Sequence, residues 1–488
     1  MRGFHFVLVS SWVLAGTAMI ECSSDKVTCD DAGSCTDGGV PSVSGGGCDS
    51  SKPASQGGCA VDDSDGFFVS ITGADTNAGT KVAPFKTIAA GITAASASAK
   101  QPNVYVCGGN YPENLLIKNA PAGVALHGGF DCTSWAQANG LTQVAPAWIA
   151  NATQPQYVLL VDAAAALVEG MTLIAPNAGD PGASSVAVFV NGSPGMTFRR
   201  ATVLAGSGAD GATAPAPPAV LPAAANGNNG SFFSLAPMKV CPCGSSDSSI
   251  GGQGGGEDAG SGPILVPEAG APIVGGDTSK GQPGVQGGQP QCNGGDGANG
   301  LNGQSGLSAN VNGVLTANGW SSNGGSVGVA GGTAQGGAGG WYGVGGANGC
   351  GGSGACGGCG GSGGLPGGGG GGSISVGAIS STLRVQASTI RAGKAGNGGA
   401  GAAGQAGQPG GTGGLGGCNG GNGGKGGDGG PGGGGAGGVS IAIAASATSP
   451  DIDQQSSILA GTAGQGGAPG AGAQTKGIDG IAATVHAF

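Results

Sequence analysis

The sequence predicts an all-β solenoid of short stacked strands that carries long glycine-rich loops. Three observations predict it. Short apolar runs, each bounded by Gly, Asn, Asp or Pro, recur at close intervals through residues 66–206. One unit, made of a strand, a spacer, a second strand and a glycine run, occurs three times. Glycine also occupies every third position from Gly411 to Gly438 without a break.

Composition narrows the class further. The chain has 488 residues, of which 117 are Gly and 27 Pro, and only 9% are charged and 4% aromatic. That Gly and Pro content belongs to repeat-type or low-complexity chains. The scarcity of charge separates it from ordinary disordered tails, which are charge-rich. With 16 Lys plus Arg, a formal charge of −10 and no basic cluster, nucleic acid is excluded as a partner.

Residues 1–21 read as a signal peptide: Arg2 precedes an apolar stretch, Phe4 to Ile20, too short and too early for a membrane span. Two processing routes fit. Ala18-Met19-Ile20-Glu21-Cys22 resembles a lipobox and would place lipid on Cys22, although that motif wants a small residue where Glu21 stands. Cleavage after Ala18, with Gly16 as the other small residue, would release a soluble chain. The Ser-, Asp- and Gly-rich tether at 22–62 favours the lipid anchor. It holds Cys29, Cys35, Cys48 and Cys59, expected in small local disulfide loops. Fourteen cysteines in an exported chain imply disulfides throughout.

Residues 63–206 form the first regular part. Gly73, Asp75, Asn77 and Gly79 give turn chemistry; Pro84 suits a first helical turn; Ile88 and Ile92 then share a helical face. Strand runs follow at Val104–Val106, Leu115–Ile117, Val124–Leu126, Tyr157–Val161, Leu167–Ile174, Val186–Val190 and Met196–Leu204. Gly170-Met171-Thr172-Leu173 recurs 25 residues later as Gly195-Met196-Thr197-Phe198. Ala201-Thr202-Val203-Leu204-Ala205-Gly206 returns as Ser388-Thr389-Ile390-Arg391-Ala392-Gly393 and as Ser456-Ser457-Ile458-Leu459-Ala460-Gly461. Each copy has a strand upstream, beginning at Ser185, Ser373 and Ser440. Residues 207–320 read as a Pro/Gly-rich excursion with a Pro-Ala run and Cys241-Pro242-Cys243. Residues 321–488 read as glycine-rich loops alternating with further strands.

A Gly-Gly-X tract can form the extended helix of three residues per turn, which has no internal hydrogen bonds. Its N–H and C=O groups point sideways, and glycine lets neighbouring helices approach close enough to bond them. Collagen also needs glycine every third residue but relies on proline, and Gly411–Gly438 contains only Pro431. The tracts are therefore polyglycine-II-like or disordered.

GADTNAGTKVAPFKTIAAGI, VYVCGGNYPENLLI and VALHGGFDCTSW resemble the start of pectin-lyase-like surface proteins. That resemblance covers about Gly66 to Gly206. It implies a right-handed parallel β-helix whose open end is capped by the helix after Pro-Phe-Lys-Thr-Ile. CGGCGG, GCNGGNGG and the GGGGAGG-VSIAIA junction resemble bacterial PGRS-type glycine-rich surface proteins. Neither resemblance carries an activity.

Candidate sites are few. Cys107 and Cys132, at the ends of adjacent strands, are spaced for a bridge between neighbouring coils. Cys350, Cys356 and Cys359 form C-x5-C-x2-C; CxxC is a zinc-ligand spacing, but no histidine lies near, so disulfides are expected, with Cys292 or Cys418 as further members. Cys48 and Cys59 are disulfide candidates in the tether. Asp62, Asp63, Asp65, Asp75 and Asn77 offer oxygens to calcium but lack the spacing of a helix-loop-helix site; turn roles are expected. Arg199 and Arg200 are adjacent on a strand, so alternation sends them to opposite faces or puts one at a bend. No clustered carboxylates surround them, and His5, His127 and His486 are scattered, so no acid–base pair is visible. Trp320 and Trp341, with Tyr342, read as loop anchors.

The expected function is a non-catalytic, exported envelope module, structural or adhesive, without cofactor or metal. Its expected partners are envelope or extracellular-matrix components, polysaccharide included, with membrane contact through the lipid only. A β-helix polysaccharide lyase or glycosidase is the rival, and a glycan-binding surface on flat glycine arrays a third reading.

Overall fold

The structure is a computed structural model that describes residues 61–98, 102–138, 141–152, 154–244, 246–257, 264–286, 291–343, 349–471 and 475–488. Cys22, Cys48, Cys59, the leader and nearly all of the tether lie outside the described residues.

The chain winds into a parallel β-helix with three faces. The first is a seven-stranded sheet: Gly66–Val69, Asn103–Cys107, Val124–Phe130, Ala166–Glu169, Met196–Arg199, Leu383–Gln386 and Asp451–Ile452. The second has six strands: Leu115–Lys118, Tyr157–Asp162, Ser185–Asn191, Ser373–Ile379, Ser440–Ser446 and Ala482–Ala487. The third also has six: Gly109–Tyr111, Thr142–Val144, Met171–Ile174, Thr202–Leu204, Thr389–Arg391 and Ser457–Leu459. Successive coils visit the first, third and second faces in turn. Their interior is apolar because strand alternation places one residue in two inside. Leu126, Val168, Phe198 and Val385 stack in register on the first face. Val144, Leu173, Val203 and Ile390 do so on the third, and all eight are fully buried.

Corners correct two of the expected strands. Leu167–Ile174 and Met196–Leu204 are each two strands, broken at Gly170 (φ 62°) and Arg200 (φ 49°). A single left-handed residue turns the chain from one face to the next, and Ala387 (φ 47°) does so in the following coil. Hydrophobic content continues across such a corner because both sides face the same core, so composition alone does not mark it.

The helix runs Ile88–Ala97, starting later than Pro84 implies. Thr87 is its N-cap, accepting from Ala90 N. Glu113, from the next coil, accepts from Ile88 N and Ala89 N at 2.8 and 3.0 Å. Ile88, Ile92 and Ala95 join the core beside Val69 and Val104. Gly91 permits that approach: a Cβ there would stand 2.7 Å from Val104 Cγ1.

The threefold repeat is three stacked coils. Ser185, Ser373 and Ser440 pair in register, as do Thr202, Thr389 and Ser457. The three serines form a corner ladder. Ser373 Oγ donates to Gly206 O and accepts from Gly393 N; Ser440 Oγ donates to Gly393 O and accepts from Gly461 N.

The glycine tracts are ordered as a lattice of extended struts bonded every third residue. Gly396, Gly399, Ala402, Gln405, Gln408, Gly411, Gly414 and Gly417 donate to carbonyls of 371, 368, 365, 362, 359, 356, 353 and 350, an antiparallel pair. In strut 351–371 the three donor phases go to three neighbours. Gly352, Ala355 and Gly358 bond 418–424, Gly351 and Gly354 bond 252–255, and Ser353 and Cys356 bond 225–228. This is the bonding a three-residue helix dictates, since its N–H groups radiate in three directions. Residues 207–320 supply further struts at 208–230 and 294–309 and three short hairpins. Along the Pro-Ala run, Gln405 and Gln408 side-chain amides bond the carbonyls of Ala219 and Pro222, both at 2.7 Å.

Candidate functional site

Two features of the surface carry polar chemistry. The first is a stack on the outer side of the seven-stranded sheet. Register aligns Phe68, Tyr105, His127, Glu169 and Arg199 on successive coils. Glu169 is 4% exposed. Its carboxylate meets His127 Nδ1 at 2.8 Å, accepts from Arg199 Nε at 2.7 Å and Nη2 at 3.0 Å, and also accepts from Arg200. His127 Nε2 lies 3.2 Å from Asn103 Oδ1, and Tyr105 stacks on the imidazole at 5.4 Å. Burial pushes the Glu169 carboxyl upward, but the hydrogen bonds and charge of His127 and Arg199 outweigh it and hold the group at about 2. Burial, with the charges of Asp65 and Glu169, raises the Tyr105 phenol.

This cluster corrects the expectation that no carboxylate accompanies the arginines. Glu169 precedes Arg199 by one coil, 30 residues in sequence. Arg200 is the bend, and its left-handed backbone turns its side chain back to the same carboxylate instead of the opposite face. Chemically the stack is closed. The carboxylate is buried, ionised and fully bonded, so it has no lone pair directed at a substrate and is a poor general base. Its strongest role is to tie three coils together.

The second feature is the outward edge of the glycine lattice. Asn293, Asp296, Asn299 and Asn302 fall every third residue along one strut. Their Oδ1 atoms accept from the backbone N–H of Asn419, Asn422, Lys425 and Asp428 at 2.9, 2.7, 2.8 and 2.9 Å. Asn226 and Asn229 do the same for Thr412 and Leu415. The third N–H of each turn, which faces out of the lattice, is thereby satisfied by a short side chain. The period-three Asx pattern in NGGDGANGLNG is a sequence signal that composition counts overlook.

The cysteines divide as follows. Cys107 and Cys132 are bonded. Cys418 is bonded to Cys292 across two struts. Cys356 and Cys359 pair with Cys241 and Cys243, not within the C-x5-C-x2-C group. Residues two apart share a face of a strand, and residues three apart share a face of a three-residue helix, so C-x-C on a hairpin meets CxxC on a strut. Cys350 is buried in the lattice. The aspartates serve backbone amides: Asp75 accepts from Lys86 N and Thr87 N, Asp62 from Ser64 N, Asp63 from Lys81 N and Asp65 from Asp62 N. Among the described residues no group of three or more His, Cys, Asp or Glu is placed to hold a metal ion, and no helix is long and apolar enough to cross a membrane. Trp341 stacks on Tyr342, whereas Trp320 packs over the second face beside Phe488.

Residues 71–232 match a family described as a protein of unknown function, DUF1565, which is associated with parallel β-helix proteins. The chain is similar to that family over a third of its length. No curated protein and no solved structure matches the chain.

Proposed function

We propose that the protein is a non-catalytic, exported scaffold of the bacterial envelope, structural or adhesive, anchored by lipid on Cys22. One observation carries the reading: the glycine tracts are a bonded lattice mounted on a β-helix, so a large part of the chain forms a stiff, nearly uncharged surface. Such a surface works through many weak contacts of small polar groups with envelope or matrix polymers. Four disulfides among the described residues support an oxidising compartment. The coil's resemblance to pectin-lyase-like proteins and the tracts' resemblance to PGRS-type proteins support a surface location. A lyase would need an available base, and the buried acid–base stack at Glu169 is saturated.

The test is cosedimentation of the purified native protein with isolated envelope material, alongside incubation with a panel of acidic and neutral polysaccharides. Binding without release of unsaturated or reducing sugars is expected. Release of either product overturns the non-catalytic reading.

A further inference from the structure

A cleft of about 390 Å³ opens where the β-helix meets the lattice. Three chain segments form it. Residues 148–152 and 154–157 lead into the second face, the corner 180–184 leads out of the third, and the hairpin Gly313–Thr316 and Gly319–Ser322 lies over the outside of the second face. Its wall is aromatic: Trp148, Tyr157 and Trp320. Each ring is fixed in place. Trp148 lies against Gly179, where a Cβ would stand 2.9 Å from Cδ1; Trp320 lies against Gly372, where it would stand 3.3 Å away. Tyr157 stacks on Phe189 at 5.1 Å and 15°. Both indole N–H groups are buried without an acceptor, as is that of Trp341 in the lattice, so the geometry of the three rings, and not this feature, marks the cleft.

The polar lining is sparse and neutral apart from one carboxylate. Asp180 spends Oδ2 on Asn151 N at 2.7 Å, and Ser184 Oγ accepts from Gly372 N at 2.8 Å. Gln154 is exposed at the rim, and Gln156 clamps the loop through both amide atoms to Ile149 N and O. Among the described residues no Lys, Arg or His lines the cleft.

We propose that this cleft binds a neutral glycan chain. A sugar ring has one apolar C–H face and a rim of hydroxyls. Aromatic planes take the face, and an amide and a carboxylate take the rim. This is the mixture of apolar wall and few convergent polar groups that small-molecule clefts show, and the volume falls in their range. Uronic acids are disfavoured, because their carboxylates would meet Asp180 with no cation to balance them. The assignment goes beyond the scaffold reading, which needs no cleft and survives its failure.

The test is tryptophan fluorescence titration of the purified full chain with cellohexaose, dextran, xylan and mannan, with polygalacturonate as the acidic comparison. A saturable change with at least one neutral glycan and none with polygalacturonate is expected. Trp148→Ala and Gln154→Ala should each weaken it, Trp148→Ala by tenfold or more, while Trp341→Ala, remote from the cleft, should not. Gln154 is exposed, so its variant keeps the test valid if a tryptophan variant misfolds. Absence of saturable change with every neutral glycan, tighter binding of polygalacturonate, or full binding by both the Trp148 and Gln154 variants would overturn the assignment.

Discussion

Replacing Gly427 by alanine puts a methyl group where another backbone already is. The new Cβ would lie 1.9 Å from Leu301 O and 2.5 Å from Leu301 C, with Gly332 N at 3.0 Å. Real Cβ contacts do not fall under 3.0 Å, so the struts must separate by about 1 Å. The bonds between them, Gly300 N to Lys425 O and Gly303 N to Asp428 O, are both 2.8 Å and would open past bonding distance. Two lost bonds cost about 1 kcal/mol each, and forcing volume into a packed interior about 1–3 kcal/mol more. Loss of unfolded-chain entropy on Gly→Ala returns about 0.4–1 kcal/mol. The net is a destabilisation of about 3 kcal/mol. Leu415→Ala is the comparison: this side chain is 63% exposed at the outward position of the same period, and its removal should change stability by less than about 0.5 kcal/mol. Urea unfolding with hydrogen exchange at the glycine amides reads both variants. If Gly427→Ala leaves midpoint and amide protection as in the parent, the struts are not bonded as described and the lattice argument fails.

Other consequences follow from single groups. The Glu169 carboxyl is held at about 2, below its ordinary 4.5, so its stabilisation is present above the unfolded value and disappears as pH falls from about 4.5 to about 2. That linkage is worth about 3 kcal/mol; Glu169→Gln should destabilise at neutral pH and flatten the acid limb of a stability–pH profile, and an unchanged acid limb would contradict the stack. Cys292→Ser with Cys418→Ser removes a cross-link spanning 126 residues, expected to cost about 4 kcal/mol in thermal or denaturant unfolding; an unshifted midpoint would show that the lattice does not need it. Thr87→Ala removes the helix cap and should cost about 1 kcal/mol, less than Glu113→Ala if the second carboxylate cap dominates.

The periods are legible in the order of residues alone. Alternation and turn residues gave stacked strands, the Ser-Thr-Ile-Arg-Ala-Gly copies gave coils in register, and glycine every third residue gave either a three-residue helix or disorder. These are local properties: a period of two or three fixes which side chains share a face, whatever the neighbours are. Whether the glycine tracts bond depends on the packed fold, because a strut has no internal hydrogen bonds and its order is set by struts up to 186 residues away, as between Gly211 and Asn397. The packed fold also decided which groups meet. Glu169 reaches Arg199 and His127 because coil length brings residues 30 and 42 apart to the same height. Arg200 joins them because a left-handed corner reverses its direction. Cys241 and Cys243 find Cys356 and Cys359 because a strand and a strut present different periods to each other. Trp148 and Trp320, 172 residues apart, share a cleft because the lattice folds its hairpin back over the coil. Coil pitch and strut partnering are properties of the stack as a whole, so no local window of residues contains them.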